Sequence, residues 1–351
     1  MSSNICSNTE KIMQKPKYFD NRWIKHHAND ILAYSGLAFC LIVFSIFPPL
    51  LRGVNILDPS GLAFRSIVFD AVMYSLLASG AVFIYALGAM DISVGAQMSL
   101  YSVLLIHLYN ANGSQASSIF FGLLLITAIS MISGAVNSII AAVLEMKPII
   151  TSLILQFFIY GIASVLMLRW NPDSAAISFD VGTASRTHFA PLRNSWVQLM
   201  VLFLALLIFT YLFKYTKLGK YVRAIGANQV CASQLGIPVV RYRLLAYLVF
   251  GVAIVLASLL FVANTGSTTA NGAKGYEMKI MISLIIGGMP LSGGMKSKIS
   301  NAVVGGFTFA LISRSFVFLG VPDKFTTLFI AVIYLVVVLM TVRTKDQALP
   351  R

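Results

Sequence analysis

Charged side chains are scarce in this sequence, and acidic ones are the scarcest. Only 11% of the 351 residues are charged, and 12 acidic residues stand against 26 basic ones. Soluble domains carry about 25% charged residues and about 45–50% apolar ones. Here the apolar fraction is 58% and the mean hydropathy is +0.83. These values exclude an ordinary soluble domain and predict a chain that lies in a lipid bilayer.

The formal net charge of +14 does not indicate a nucleic-acid-binding protein. The basic residues lie between long apolar runs, and they form no patch interleaved with aromatic residues. In membrane proteins Lys and Arg accumulate in the cytoplasmic loops, so membrane topology explains the charge.

Cysteine and histidine are too few and too scattered for a metal site or a disulfide framework. Cys6, Cys40 and Cys231 are far apart, and the four histidines fall in three distant segments, with His26 and His27 together in the N-terminal tail. No phosphate-binding loop of the form GxxxxGK followed by Ser or Thr occurs; residues 293–297, GGMKS, come nearest but lack the Gly-Lys step. We therefore expect no metal, no cofactor and no enzymatic activity, ATP hydrolysis included, in this chain.

Long apolar runs are what the sequence has in abundance. A straight transmembrane helix needs about 20 apolar residues. Ten runs predict an all-α, polytopic membrane protein, with spans at about 31–51, 66–90, 94–110, 118–143, 148–168, 196–213, 244–264, 277–289, 299–319 and 325–342. The predicted domains are an N-terminal tail at 1–30, a transmembrane domain at 31–343 and a C-terminal tail at 344–351.

The distribution of Lys and Arg orients these ten spans. With both termini in the cytoplasm, 17 of the basic residues fall in cytoplasmic segments and 8 in external ones. The inverted topology would place the larger number outside, against the positive-inside tendency. We therefore predict cytoplasmic termini and a cytoplasmic loop at 214–243, which holds six basic residues and no acidic one.

This cytoplasmic loop carries the start and stop signals of a short helix. Asn228 is predicted to cap a helix that begins at Gln229. Gly236 suits a left-handed residue just past the end of the helix, and Pro238 prevents its continuation. A helix of about two turns is too short to be stable alone in water, so it requires contacts with the rest of the protein or with a partner.

One face of the short helix is apolar, since it carries Val230, Cys231 and Leu235. A capped helix with an apolar face at the membrane surface is suited to docking against a partner. The alternative is a solvated connector that merely links two spans. The residues alone leave both interpretations open.

A second signal lies where one apolar run ends at Met90 and another begins within five residues. Asp91, Ser93 and Gly95 in so short a gap predict a helix break. One interpretation is a broken helix at membrane depth, which must be buried in protein or line a watery cavity and which is typical of transporters. The other is a tight cytoplasmic turn in which the Asp91 carboxylate caps the third span.

A second interruption occurs in the other half of the chain, where Gly287, Gly288, Gly293 and Gly294 flank Pro290. Glycine permits close approach between helices. Two interruptions, one in each half, indicate an internal repeat of the transporter kind.

Polar side chains within the predicted spans are few, and each is costly in hydrocarbon unless it faces the bundle or water. Asn137, Gln156 and Asn264 are suited either to binding a hydroxylated substrate or to joining neighbouring helices, and the second role is favoured. Arg314 either snorkels to the outer surface or faces an outer cavity. In the cavity it would bind an oxygen-rich or anionic group, with Asp70 as its counter-ion.

Three stretches together resemble the ribose-type permeases of ATP-binding-cassette (ABC) importers. The stretches are Met90-Asp91-Ile92-Ser93-Val94-Gly95-Ala96, residues 218–228 (LGKYVRAIGAN) followed by Leu235-Gly236-Ile237, and Gly275-Tyr276-Glu277 followed by residues 286–294 (IGGMPLSGG). They occur in the family's order and cover roughly residues 60–343. The chain departs from the family's pattern at Leu87-Gly88-Ala89, where Thr-Gly-Gly is usual, and in lacking the usual Glu pair of the coupling stretch.

The resemblance implies a permease subunit that translocates a simple sugar or a related small polar solute by alternating access. The implied partners are a second permease subunit, identical or paralogous, a pair of cytosolic ATPases and an extracytoplasmic substrate-binding protein, all at the bacterial inner membrane. ATPase coupling is assigned to Gly219, Arg223, Gly226, Asn228, Val230, Leu235 and Gly236. A translocation or hinge role is predicted for Asp91, Ser93, Gly95, Asn137, Gln156, Gly287, Gly288 and Arg314.

Two other classes of transporter remain as alternatives. An ABC permease for nucleosides or branched-chain amino acids would share the fold and the coupling stretch. An ion-coupled secondary transporter ranks lower, because it normally needs carboxylates within the membrane. Asp70, Asp91 and Glu277 lie near the ends of predicted spans and form no obvious relay.

Overall fold

The computed structural model describes residues 21–53, 58–59, 61–113, 115–143, 146–179, 188–290, 293–322, 325–326, 328–332 and 335. The helices are α1 Asn21–Arg52, α2 Leu62–Ala86, α3 Val94–Ala111, α4 Ala116–Val143, α5 Pro148–Trp170, α6 Ser195–Tyr215, α7 Lys217–Ala227, α8 Gln229–Gln234, α9 Val239–Thr265, α10 Tyr276–Ile286 and α11 Ile299–Phe318. A 3-10 turn, Pro191–Arg193, precedes α6. Two short strands, β1 Ala176–Ser178 and β2 Ser267–Thr269, pair antiparallel.

The predicted helical membrane architecture is confirmed in its coarse form. Within the described residues seven helices are long and apolar enough to cross a bilayer, namely α1, α2, α4, α5, α6, α9 and α11. The predicted third and eighth spans are helical as α3 and α10, but α10 has only 11 residues, about 16 Å of helix. The predicted tenth span at 325–342 lies mostly outside the described residues. The count of ten spans therefore stays a prediction.

Helix α2 is the centre of the bundle. Every residue from Ile67 to Ala86 is buried, and α2 packs against α6, α9, α10 and α11. A helix that is apolar on all sides is stable only when it is surrounded by protein or lipid. The outer helices α4, α5 and α6 instead expose large apolar side chains such as Phe120, Phe157 and Leu207. Exposed apolar surface of this extent is typical of a protein that faces lipid.

The two ends of the bundle are distinguished by what joins the helices there. Helices α7 and α8 lie at one end, beside the last residue of α2, and we call this the coupling end. Helix α9 leads away from α8 for 27 residues, about 40 Å. It ends beside the β1–β2 pair, and we call this the strand end. The pair joins the segment after α5 to the segment after α9, so both segments lie at the same end of the bundle.

Two features depart from the sequence-based prediction. The stretch at 214–243 is mostly helical, because α6 continues to Tyr215 and α7 follows directly. Gly219, Val222 and Ile225 form the buried side of α7 at a spacing of three residues, so an amphipathic pattern is present in the sequence. The strands are an exception to the all-α class, and three residues each are too few to be recognised from sequence.

Cysteine labelling tests which end of the bundle faces the cytoplasm. Cys231 is exposed at the coupling end, and Ser178 is exposed in β1. In cells carrying Cys6→Ala and Cys40→Ala, we expect a membrane-impermeant maleimide to modify Cys231 only after permeabilisation. A Ser178→Cys variant with Cys231→Ala is expected to react in intact cells. Modification of Cys231 in intact cells would reverse the predicted topology.

Candidate coupling surface and substrate pathway

The short helix predicted in the cytoplasmic loop is present as α8, with the predicted boundaries. The Asn228 side-chain oxygen accepts a hydrogen bond from the backbone N–H of Cys231 at 3.0 Å, which caps the helix at its N-terminus. Gly236 follows its end with φ of +78°, a conformation that resists side chains with a Cβ. Pro238 then directly precedes α9. The predicted cap and stop signals are confirmed.

The apolar side chains of α8 point away from the bundle. Val230 is 65% exposed and Leu235, just after the helix, is 81% exposed, while Ala232 is buried against the protein. Cys231 is exposed as well. A six-residue helix that holds two large apolar side chains in solvent is arranged to be covered by something else.

Helix α7 holds α8 on the bundle by contacts at both of its ends. Gly219 lies against the backbone carbonyl of Phe213, the residue two positions before the end of α6. The Arg223 Nε–H donates to the Gly219 carbonyl at 3.1 Å, and the guanidinium lies 5.1 Å from the centre of the Phe213 ring. Gly219 and Arg223 therefore fix the angle between α6 and α7, and their side of α7 is not free for a partner.

Helix α7, the last residue of α2 and the second interruption meet at one point of the coupling end. A Cβ on Gly226 of α7 would lie 1.8 Å from the carbonyl oxygen of Ala86, the last residue of α2. The same carbonyl accepts the N–H of Gly294 at 2.9 Å. Gly294 belongs to the second interrupted segment, and the Asp91 break begins directly after α2. Gly226 and Gly294 thus both contact the last residue of α2.

Gly226→Ala is expected to lower the thermal stability of the purified permease by about 1–3 kcal/mol, as overpacking in a tight interface typically does. The added methyl group would meet backbone atoms of α2, which cannot rotate away. The measurement is the unfolding midpoint in detergent together with the amount of protein in the membrane. Gly161→Ala in α5 is the matched control, because nothing lies within 4 Å of the added Cβ. Equal stability of the two variants would contradict the close contact.

Asp91 is buried at the start of the segment that leads into α3. Its Oδ1 accepts hydrogen bonds from the Ser93 N–H at 2.8 Å and from the Ser93 hydroxyl at 2.6 Å. Its Oδ2 accepts from the Asn137 side-chain amide of α4 at 3.4 Å, and the Asn137 oxygen accepts from the Thr151 hydroxyl of α5 at 2.6 Å. The Asp91 carboxylate thus ties the break to α4 and α5.

The hydrogen-bond chain continues from Ser93 along the buried side of α3. The Gln97 side-chain amide donates to the Ser93 hydroxyl at 2.8 Å, and the Tyr101 hydroxyl donates to the Gln97 side-chain oxygen at 3.0 Å. All three side chains are buried. Gln97 and Tyr101 were not among the residues selected from the sequence, although their spacing of four along a helix is the signal that would have linked them to Ser93.

The Asp91 break is a turn that is recessed into the bundle. It lies at the coupling end, since it follows α2 directly. Its partner Asn137 nevertheless stands six residues before the end of α4, a depth of about 9 Å. The structure therefore combines elements of both predicted interpretations: an irregular turn near the surface, buried in protein below the level where α4 ends.

Gln156 reaches from α5 towards the start of α10. Its side-chain amide donates to Glu277 Oε1 at 3.5 Å, and the Gly275 N–H donates to both carboxylate oxygens at 3.1 Å. Gly95 of α3 lies in contact with this carboxylate. Gln156 and Asn137 both bond to neighbouring helices, which agrees with the favoured prediction for them. A role for Asp91, Ser93, Gly95, Asn137 and Gln156 in translocation stays a prediction.

The glycines of the second interruption form the end of α10. Gly287 lies against the backbone carbonyl of Asn301 in α11, so the two helices touch through their main chains. Gly288 follows with φ of +82° and ends the helix. Asn264, the other polar residue predicted within a span, lies next to the last residue of α9 at the strand end.

Arg314 and Asp70 form an ion pair at the strand end. The Arg314 Nη2–H donates to Asp70 Oδ1 at 2.9 Å, and its Nε–H donates to Asp70 Oδ2. Asp70 is buried, whereas Arg314 is 35% exposed and lines an open cavity. Arg314 therefore does not simply extend into solvent, because a buried carboxylate holds it beside this cavity. Within the described residues no group of three or more His, Cys, Asp or Glu is placed to hold a metal ion.

A bundle of apolar helices with an outward-facing helix at one end and a polar cavity at the other defines a multi-pass membrane transport subunit. The chain belongs to the family described as branched-chain amino acid transport system / permease component, whose profile matches residues 64–340. Members of this family are permease subunits and not enzymes, and the family implies ATPase and substrate-binding protein partners.

Several curated bacterial proteins are similar over nearly the whole chain. The fructose import permease protein FruF of Bifidobacterium longum is 25% identical over 338 residues, 93% of this chain and 92% of its own. The galactose/methyl galactoside import permease protein MglC of Salmonella typhimurium is 28% identical over 310 residues, covering 85% and 88%. The ribose import permease protein RbsC of Escherichia coli is 22% identical over 334 residues, covering 95% and 98%. No solved structure matches the chain. The bacterial relatives and the apolar helices identify a multi-pass protein of the inner membrane.

Proposed function

We propose that this chain is the membrane permease subunit of an ABC importer for a simple sugar or a closely related hydroxylated solute. The observation that carries this proposal is the coupling end. There an outward-facing apolar pair, Val230 in α8 and Leu235 just after it, stands beside α7, which contacts the end of α2 and Gly294 of the second interruption. Such an arrangement passes the movement of an external protein into the bundle, which is what an ATP-driven permease requires.

The mechanism follows from the contacts of α7. A cytosolic ATPase that docks on α8 moves α7, and Gly226 presses on the end of α2 at Ala86. Because Gly294 is hydrogen-bonded to the same carbonyl, the second interruption moves with it. The Asp91 turn then tilts α3 relative to α4 and α5, and access to the pathway alternates between the two faces of the membrane. A second permease subunit, identical or paralogous, would complete the pathway.

The sugar class is supported by the relatives. Fructose, galactose and ribose appear in the printed names of three proteins that cover most of the chain. The family's own description names branched-chain amino acids, and an amino acid substrate is therefore the second candidate.

Reconstitution tests the proposal directly. The permease is placed in proteoliposomes with its cognate ATPase and binding protein, and uptake of labelled fructose, galactose, ribose, gluconate and leucine is measured. We expect ATP-dependent uptake of at least one of the three sugars or of gluconate, a closely related hydroxylated solute, and no uptake of leucine. Uptake driven by a proton gradient without ATP would make the protein a secondary transporter, and uptake of leucine alone would favour the amino acid candidate.

A further inference from the structure

The strand end contains a large open cavity whose lining is mixed, with basic and neutral polar side chains beside apolar ones. Its volume is about 930 Å³, and it lies between the N-terminal parts of α2 and α6, the end of α9, and Arg314 of α11. Binding sites for small organic molecules typically measure about 300–1,000 Å³. The cavity therefore has room for a monosaccharide-sized ligand.

Three guanidinium groups line this cavity, those of Arg65, Arg193 and Arg314, and no acidic residue does so among the described residues. Asp70 lies behind the lining and pairs with Arg314. Asp58 precedes the lining residue Pro59 without lining the cavity itself. Even with both carboxylates counted, positive charge exceeds negative charge here. Arg65 and Arg193 form no ion pair with any described residue, so the excess positive charge faces the cavity.

The Asp70 carboxylate fixes the orientation of the Arg314 guanidinium beside the cavity. A guanidinium has five N–H donors, and Asp70 uses two of them, at Nε and Nη2. The Tyr74 hydroxyl donates to the same carboxylate at 3.5 Å, which fixes Asp70 in turn. The other three N–H groups of Arg314 make no hydrogen bond to any described residue, and the side chain is 35% exposed at the cavity. A guanidinium that is already oriented loses less conformational freedom when it binds a carboxylate or a phosphate.

A neutral hydrogen-bonding group completes the cavity. Asn264 lines it from the end of α9, and its side chain makes no hydrogen bond to any described residue. An amide both donates and accepts, so it suits a hydroxyl group. Basic groups and a free amide together select a ligand that carries an anionic group and hydroxyl groups on one small molecule.

We propose that this cavity binds a hydroxylated organic anion, namely a sugar acid or a sugar phosphate, as the transported solute on its entry. The proposal rests on the proposed import function and narrows its substrate class. Arg193 and Arg65 attract the anionic group, Arg314 binds its oxygens, and Asn264 binds a hydroxyl. A charged substrate would separate this permease from one that carries neutral sugars.

The test uses the full-length permease in nanodiscs of neutral phosphatidylcholine at fixed ionic strength. The probes are gluconate for the carboxylate, glucose 6-phosphate for the phosphate, glucose as the neutral analogue and sulfate as a plain anion. We expect gluconate or glucose 6-phosphate to raise the unfolding temperature in a saturable manner, with little response to glucose or sulfate. A response to only one of the two organic anions identifies which anionic group is recognised.

Substitutions of single cations test whether the anion binds in this cavity. Arg193→Gln and Arg65→Gln are each expected to weaken the apparent affinity about tenfold, the loss of one charge-assisted contact. Lys274→Gln removes an exposed cation between β2 and α10 that does not line the cavity, and it should bind as the wild type does. Equal affinity in Arg193→Gln, Arg65→Gln and wild type would overturn the proposal.

Two further results would overturn the proposal of an anionic ligand without contradicting the import function. Stabilisation by added phosphatidylglycerol and not by any soluble anion would make the cavity a lipid headgroup site. ATP-dependent uptake of a neutral sugar at the wild-type rate in Arg193→Gln and Arg65→Gln, without binding of either organic anion, would leave the import function standing and remove the anionic substrate.

Discussion

Replacing Val230 and Leu235 together with Asp is expected to abolish ATP-dependent uptake while leaving the permease inserted in the membrane. Both side chains are mostly exposed, so the carboxylates meet water in the free subunit and cost little folding free energy. In the assembled transporter they would be buried without a partner, which is strongly unfavourable. We expect uptake to fall at least 100-fold and the ATPase to be lost from the complex on co-purification.

Val240→Asp is the matched control for this result. Val240 lies in the first turn of α9 at the same end of the bundle and is 54% exposed, but it is not part of α8. The control should keep its ATPase and most of its uptake. If the Val230 and Leu235 double variant retains both as well, α8 is a connector and the partner docks elsewhere.

Asp91→Ala is expected to give the largest loss of stability among single substitutions. The variant leaves the Ser93 N–H, the Ser93 hydroxyl and the Asn137 amide without their buried acceptor. Each unsatisfied buried donor costs about 1–3 kcal/mol, so the total is about 3 kcal/mol or more. The expected observation is a much smaller amount of permease in the membrane and a lower unfolding midpoint for the fraction that can be purified.

Asp173→Ala provides the comparison, because the same substitution is made at an exposed acid in the segment between α5 and β1. It should be close to the wild type in amount and stability. Asp91→Asn keeps one side-chain oxygen as an acceptor and should fall between the two. Normal stability of Asp91→Ala combined with loss of uptake would show that the carboxylate acts on the substrate and not on the fold.

Local signals in the sequence were sufficient to predict α8, the short helix at the coupling end. The Asn228 cap, the left-handed Gly236 and the stop at Pro238 each depend on a few neighbouring residues, and each is present as predicted. The same holds for the apolar pair on α8. Helix α7 was missed because the stretch from 214 to 243 was interpreted as a basic loop, although the three buried residues of α7 follow a helical spacing.

A contact between distant segments could be predicted only where a side chain had few possible partners. Arg314 and Asp70 are 244 positions apart, but a charge at that depth requires a partner and only one acid was available nearby. The Asp91 network was not predictable, since Asn137 and Thr151 are ordinary polar residues until α4 and α5 pack beside the break. The role of Gly226 likewise depends on how closely α7 approaches α2.

The pairing of β1 with β2 has a consequence for how the protein is made. Ser178 pairs with Ser267, 89 positions later in the chain. At about 5–20 residues per second, the ribosome needs roughly 5–20 s to deliver the second strand after the first. Throughout that interval the backbone of β1 has no strand to pair with. A nascent chain that stalls before the end of α9 would therefore display an unpaired strand edge, which quality-control proteases and chaperones are suited to recognise.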